Sequence, residues 1–204
     1  MPNIDNLGNV LIRSDLNVPI KNGEITDYYR ILKSVEIVKK ISNKSRTITF
    51  VSHLGRPDGK DLKLSLRPVA VKMSEILDKE VHFIEETYGE KVERQIETSE
   101  SKIFLLENLR YEKGEIDNDK NFSKQITKPF DSYIFDAFGA AHREHASVVS
   151  FGENLKSFQG PLMDKEIKEL DKLLSNSKSG YSVLLGGAKI SDKLNLIEKL
   201  LPKV

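Results

Sequence analysis

Short apolar runs rich in β-branched residues, separated by longer stretches of helical periodicity, set the strongest limit on what this chain can fold into. The runs occupy residues 10–13, 47–52, 81–84, 103–106, 132–135 and 181–185. Several are apolar at nearly every position, the pattern of a strand covered on both faces. Between them, Ile31, Val35 and Val38 recur at helical spacing. So do Val69, Met73 and Ile76, and later Ile167, Leu170 and Leu174. Alternation of this kind predicts an α/β fold, a parallel three-layer α/β/α sheet with right-handed crossovers. Ser65 is expected to cap a helix that has Pro68 in its first turn. The polar stretch 113–120 reads as a surface loop or a helix start.

The 204 residues suffice for one sizeable core, or for one domain and part of a second. Lys and Arg number 32 against 31 Asp and Glu, a net charge of +1. Such a balance gives no overall attraction to nucleic acid or to a membrane surface, so neither is expected as a partner. An anion site must then be a local basic cluster. The absence of cysteine excludes disulfides, thiolate metal sites and a cysteine nucleophile, and fits a reducing compartment. The first residues, MPNIDNLGNVLIRSD, lack the basic-then-apolar run of a secretory leader. No apolar stretch approaches the roughly 20 residues of a membrane span. The expectation is a soluble cytoplasmic protein.

In open α/β sheets, ligands bind beyond the carboxyl ends of the strands. Unusual residues gather at those ends. The first run leads into Arg13, Asp15, Asn17 and Pro19, and the second into His53, Gly55 and Arg56. The fourth ends in ENLR at Arg110, and the fifth leads into Asp136, Gly139, His142 and Arg143. The last leads into Gly186, Gly187 and Lys189. Arginine presents a planar fork of donors suited to phosphate and carboxylate oxygens, and glycine lets the backbone come close to a ligand. The joint pattern points to a small polyanion held by arginines from several loops. Singly, each residue has a plainer reading: a surface arginine, a hydrogen-bonded histidine, or, for Asp136, a turn cap.

GGAKISDK is not the phosphate-loop pattern, although glycines followed by Lys189 and Lys193 on a first helical turn would suit an anion as well as a loop-and-cap role. His142 and His145 flank Glu144, which is too few ligands for zinc, so no metal site is expected. Residues 161–178 form a charged amphipathic pattern, either a crossover helix or a domain connector. One strand–helix unit follows, with Ile190, Leu194, Ile197 and Leu201 on one face.

The segments RSDLNVP with ITDYYRI, VSHLGRP, LLENLRYEKGE, DAFGAAHREHAS and LLGGAKISDK, in this order, resemble the phosphoglycerate kinase family from about residue 10 to residue 201. The resemblance implies a Rossmann-like N-terminal domain for 3-phosphoglycerate at 1–162, a connecting helix at 163–178, and the truncated start of a nucleotide domain at 179–204. It implies that Asp15 and Asn17 orient the glycerate portion, and that His53, Arg56, Arg110 and Arg143 receive the phosphate. Arg30 would reach the carboxyl and the transferring phosphoryl group, and Lys189 would stabilise that group in flight. Gly187 and Lys193 would contact nucleotide phosphates. Mg²⁺ with ATP or ADP is the implied cosubstrate, available to this chain only if the rest of a nucleotide lobe is supplied.

Leu16 stands where the family usually has Phe, Phe135 where a polar residue is common, and Glu144 where a small apolar one is usual; Ala140 replaces a small or hydroxylated residue. Family members are about twice as long. The chain is therefore expected to carry the acceptor half of a glycolytic phosphotransferase without being competent alone. The alternatives are one subunit of a split enzyme, or a non-catalytic protein that self-associates through its last strand–helix unit.

Overall fold

The structure, a computed structural model, describes residues 6–175 together with 184, 186, 194, 197, 198 and 201. The chain divides into two compact units, Met1–Met163 and Asp164–Val204. In chain order the elements are β1 (Gly8–Ser14), β2 (Ile20–Lys21), β3 (Glu24–Ile25), α1 (Tyr29–Ile41), β4 (Ser45–Val51), α2 (Arg67–Leu77), β5 (His82–Ile84) and α3 (Glu90–Thr98). They continue as β6 (Ile103–Leu106), α4 (Lys113–Ile116), α5 (Lys120–Thr127), β7 (Ser132–Asp136), α6 (Phe151–Asn154), β8 (Lys156–Gln159) and α7 (Pro161–Ser175). Among the described residues no helix is long and apolar enough to cross a membrane.

Six strands form one parallel sheet in the order β5-β6-β4-β1-β7-β8. Successive side chains of a strand point to opposite faces, so each central strand feeds two cores. Val10, Ile12, Ile48, Phe50, Leu105 and Ile134 pack in one cluster with Ile31 and Val35 of α1 and Val69 and Met73 of α2. Leu11, Val51, Phe104, Leu106 and Tyr133 pack in the other with Val92 of α3, Phe122 and Ile126 of α5, and Phe151 of α6. This is the three-layer α/β/α architecture the sequence predicts.

The chain leaves β1 for β4 on one side and returns for β7 on the other. The carboxyl ends of β1, β4 and β7 therefore surround the point where the winding reverses, the place where such sheets open a crevice.

Some local expectations need correction. Ser65 is not the residue flanking α2; that position is Leu66, which has no side-chain cap. The Ser65 hydroxyl still accepts from Arg67 N at 3.2 Å, and it donates to Glu107 Oε2 at 2.7 Å. The stretch 113–120 is a helix start, the second of its two readings, forming α4 and leading into α5, and Glu115 within it is fully buried. The antiparallel pair β2–β3 and the edge strand β8 were not expected. The expected strand at 181–185 and the helix after it lie, for the most part, outside the described residues.

Asp136, at the end of β7, accepts from the N–H groups of Leu162 at 2.7 Å and Met163 at 3.1 Å, and so caps the start of α7. Gly160 sits against it, where an added Cβ would come within 2.3 Å of Asp136 Oδ1 and Cγ. Gly160→Ala should consequently destabilise the protein by about 2–3 kcal/mol, seen as a lower urea midpoint with an unchanged slope. An unaltered midpoint would mean that the cap can move aside.

Candidate functional site

The loops after β1, β4, β6 and β7 join through a continuous set of polar contacts. Asn17, after β1, accepts from Gly55 N at 2.9 Å through its side-chain oxygen. Gly55 has φ +63°, and its carbonyl accepts from Arg110 Nη1 at 2.6 Å. Only a residue at ease in the left-handed region can present both groups this way, which explains glycine in SHLGRP. Arg110 follows Asn108, whose side chain accepts from Leu54 N and Arg110 N and donates to the carbonyls of Leu54 and Leu64. The asparagine of ENLR thus fixes the loop that carries the arginine.

Arg30, at the start of α1, reaches across to Asp15 Oδ1 at 3.1 Å and the Asn17 carbonyl at 3.0 Å. Its side chain is half exposed, so this ion pair is free to rearrange around a ligand. Gly139, after β7, lies so close to Asp15 that an added Cβ would be 3.0 Å from Oδ2. Arg56 is exposed and Arg143 half-buried.

His53 is 7 % exposed, and its pKa is pushed down to about 2, first by burial and then by the positive charges of Arg13, Arg110 and Arg143. Burial lowers the pKa of Arg110 to about 10, and the neighbouring charges of Arg143, Arg13 and Arg56 add to the effect while Glu115 opposes it. These four arginines and His53 therefore share one electrostatic environment with an excess of positive charge. Guanidinium groups gathered in this way are chemically suited to a compact anion, and Asp15, Asn17 and Arg30 are linked to them through Gly55.

Of the residues singled out in the sequence, Asp15, Asn17, His53, Arg56, Arg110 and Arg143 stand in this set of loops, and Arg30 reaches it from α1. Gly187, Lys189 and Lys193 lie outside the described residues. Asp136 proves to be a cap, the plainer of its two readings. Arg13 does not open into the site: it is 1 % exposed and points into the protein, with Nη2 2.9 Å from His53 Nδ1 and Nε 2.9 Å from Ser147 Oγ. Sequence reasoning missed Ser147 and Glu115 altogether; the available signal was strand parity, which places Arg13 on the same face as Leu11.

His142 is exposed, whereas His145 approaches Glu115 at 3.6 Å. Among the described residues no group of three or more His, Asp or Glu is placed to hold a metal ion. The departures from the family pattern fall in the cores, in a buried turn and at the surface. Leu16 is fully buried in the first core, while Asp15 and Asn17 on either side keep their partners. Phe135 packs against the second core, Ala140 is buried, and Glu144 is exposed.

The family model described as phosphoglycerate kinase matches residues 4–204. The phosphoglycerate kinase of Thermosipho africanus (strain TCF52B) is 45% identical over 196 residues, 95% of this chain and 49% of that protein. The one from Wolbachia pipientis subsp. Culex pipiens (strain wPip) is 44% identical over 197 residues, 96% of this chain and 50% of that protein. Among solved structures, phosphoglycerate kinase from Coxiella burnetii is similar with a TM-score of 0.85 at 36% identity, over 99% of this chain and 51% of that one. The enzyme from Pyrococcus horikoshii OT3 gives 0.84 at 32% identity, over 98% and 51%. The chain spans about half the length of the curated relatives it matches.

Proposed function

Because this chain belongs to the phosphoglycerate kinase family, we propose that its first unit is the receptor for 3-phosphoglycerate in phosphoryl transfer between the carboxylate of that compound and MgATP. In the reverse sense, the substrates are 1,3-bisphosphoglycerate and MgADP. The observation that carries this reading is the gathering of Arg56, Arg110 and Arg143 beside a neutral His53, where the arginines' charges add to burial in lowering the pKa of Arg110 and of His53. A phosphate dianion would relieve that repulsion and take the forked donors of the guanidinium groups. Asp15, Asn17 and Arg30 are suited to the hydroxyl and carboxylate end.

The residue types also suit the chemistry. A carboxylate acceptor is already ionised at neutral pH, so the reaction requires no general base. His53 could not serve as one that takes up a proton near neutrality, since its pKa lies near 2. What remains is alignment and charge neutralisation, with Arg30 directed to the reacting carboxylate and Lys189 to the phosphoryl group in flight. Magnesium enters with the nucleotide, as part of a substrate. Gly187 and Lys193 are the residues proposed for nucleotide phosphates. The remainder of a nucleotide lobe would have to come from polypeptide beyond these residues or from a second chain, and turnover by this chain alone is not expected.

Calorimetric titration of 3-phosphoglycerate at low salt tests the reading, with glycerate as the ligand that lacks phosphate. Removing two charged hydrogen-bonding groups costs about 3 kcal/mol or more in total, so Arg56→Ala/Arg110→Ala should weaken binding about 100-fold or more. Raising the ionic strength should weaken wild-type binding, because Arg56 is exposed and open to screening. Failure of the folded wild-type chain to bind, or binding indifferent to the two substitutions, would overturn it.

A further inference from the structure

Beneath the anion site lies a buried polar chain that runs from α4 to His53 and that the proposed reaction does not use. Glu115 is fully buried, and its Oε2 accepts from Ser147 N at 2.9 Å. Its Oε1 accepts from the Ser147 hydroxyl at 2.7 Å. Having donated its proton, that hydroxyl accepts from Arg13 Nε at 2.9 Å. Arg13 Nη2 then meets His53 Nδ1 at 2.9 Å. The backbone fixes the same unit twice more: Ala146 N donates to the Glu115 carbonyl at 2.8 Å, and the Tyr133 hydroxyl donates to the Ser147 carbonyl.

The direction of every bond in this chain follows from its ends. A carboxylate only accepts and a guanidinium only donates. Ser147 must therefore donate to Glu115 and accept from Arg13, and His53 Nδ1 must accept from Arg13. When neutral, the His53 ring then carries its one proton on Nε2, the nitrogen not engaged by Arg13. Glu115 is also the compensating charge for Arg13: one buried carboxylate and one buried guanidinium, bridged by a hydroxyl. Without it, Arg13 would be a buried cation among other cations and would be expected to shift its contacts towards solvent or a new acceptor.

We propose that Glu115, acting through Ser147 and Arg13, is a positioning residue for the acceptor site, holding His53 as an Nε2–H donor for the ligand's phosphate. The proposal rests on the 3-phosphoglycerate reading for the ligand, but its geometric half does not. It assigns ENLRYEKGE a second purpose beyond Arg110: its last glutamate orders the floor on which the histidine stands. The depressed pKa of His53 fits, since a neutral ring can hold one defined tautomer.

Two readouts on the full chain test it: the imidazole ¹⁵N spectrum of His53, which distinguishes the tautomers, and the affinity for 3-phosphoglycerate. Wild type should show the Nε2–H form alone. Glu115→Gln removes the charge at nearly constant shape, and should give a mixture of tautomers and a 10- to 100-fold loss of affinity. Ser147→Ala keeps the carboxylate but cuts the bridge, and should give a smaller change in the same direction. It also decides the matter should the glutamine variant fail to fold. A destabilised variant with unchanged tautomer and affinity would show a merely structural carboxylate and overturn the proposal, as would an Nδ1–H form in wild type. If wild type does not bind 3-phosphoglycerate, the ligand reading fails, and the tautomer spectra of the three proteins still decide whether Glu115 positions His53.

Discussion

Glu107→Ala should lower the free energy of unfolding by about 3 kcal/mol or more, because it strands several buried donors that each cost about 1–3 kcal/mol when unsatisfied. Glu107 is 3 % exposed at the end of β6. Its carboxylate accepts from the Ser65 hydroxyl at 2.7 Å, Leu66 N at 2.9 Å and Asn108 N at 2.7 Å. Leu66 and Asn108 are themselves fully buried, so water cannot replace the lost acceptor without the loop opening. The carboxylate also faces the start of α2, where a negative charge is favoured by the helix dipole. The effect should reach the proposed anion site, since Asn108 holds the backbone of Arg110 and the SHLGRP loop. Urea unfolding should show the loss, and Glu107→Gln, which keeps one acceptor oxygen, should recover part of it. A cost below about 1 kcal/mol for the alanine variant would mean that the loop finds other partners.

Glu107 and Arg110 show how far the sequence can be read. The ENLR tetrapeptide is conspicuous for its arginine, yet its glutamate and asparagine are as tightly bound as any residue in the unit. Their roles depend on Ser65, Leu66 and Leu54, which no local pattern links to them. The central strands were legible because the middles of β1, β4, β6 and β7 are covered on both faces and are mostly apolar there. β8 was not, because KSFQ is a largely exposed edge strand with no hydrophobic alternation to mark it. The β2–β3 pair did leave a trace: Asn22 and Gly23 between Lys21 and Glu24 are a two-residue hairpin turn, both with positive φ.

The site divides in the same way. The residues proposed to meet a ligand stand, Arg30 on α1 apart, in loops at strand ends, where topology alone predicts them. Residues that organise it are hidden by context. Glu115 lies in a run of charged and polar neighbours, and the loop after β7 meets it through Ala146 and Ser147 where it is buried. Arg13 stands near the end of β1 among positions proposed to face a ligand, but its parity with Leu11 turns it into the interior.

His53 gives the second large effect, and it appears as pH dependence. The ring is 7 % exposed, with its pKa pushed down to about 2 from an ordinary 6.5. Below pH 6.5 the unfolded chain takes up a proton at this position that the folded chain does not, so stability falls as pH falls and is fully present only above that value. Down to the folded pKa, the slope approaches about 1.4 kcal/mol per pH unit. Between pH 7.5 and 4.5, the loss attributable to His53 is about 2.7 kcal/mol. His53→Asn keeps an acceptor oxygen for Arg13 and has nothing to titrate in this range. All other titratable groups are common to the two proteins, so the difference between the two pH–stability curves reports on His53. Wild type should lose about 2.7 kcal/mol more than the variant over that interval, measured by urea unfolding at several pH values. Parallel curves would mean that His53 accepts a proton in the folded protein, which requires Arg13 to release Nδ1 and would remove the basis for a fixed tautomer at the anion site.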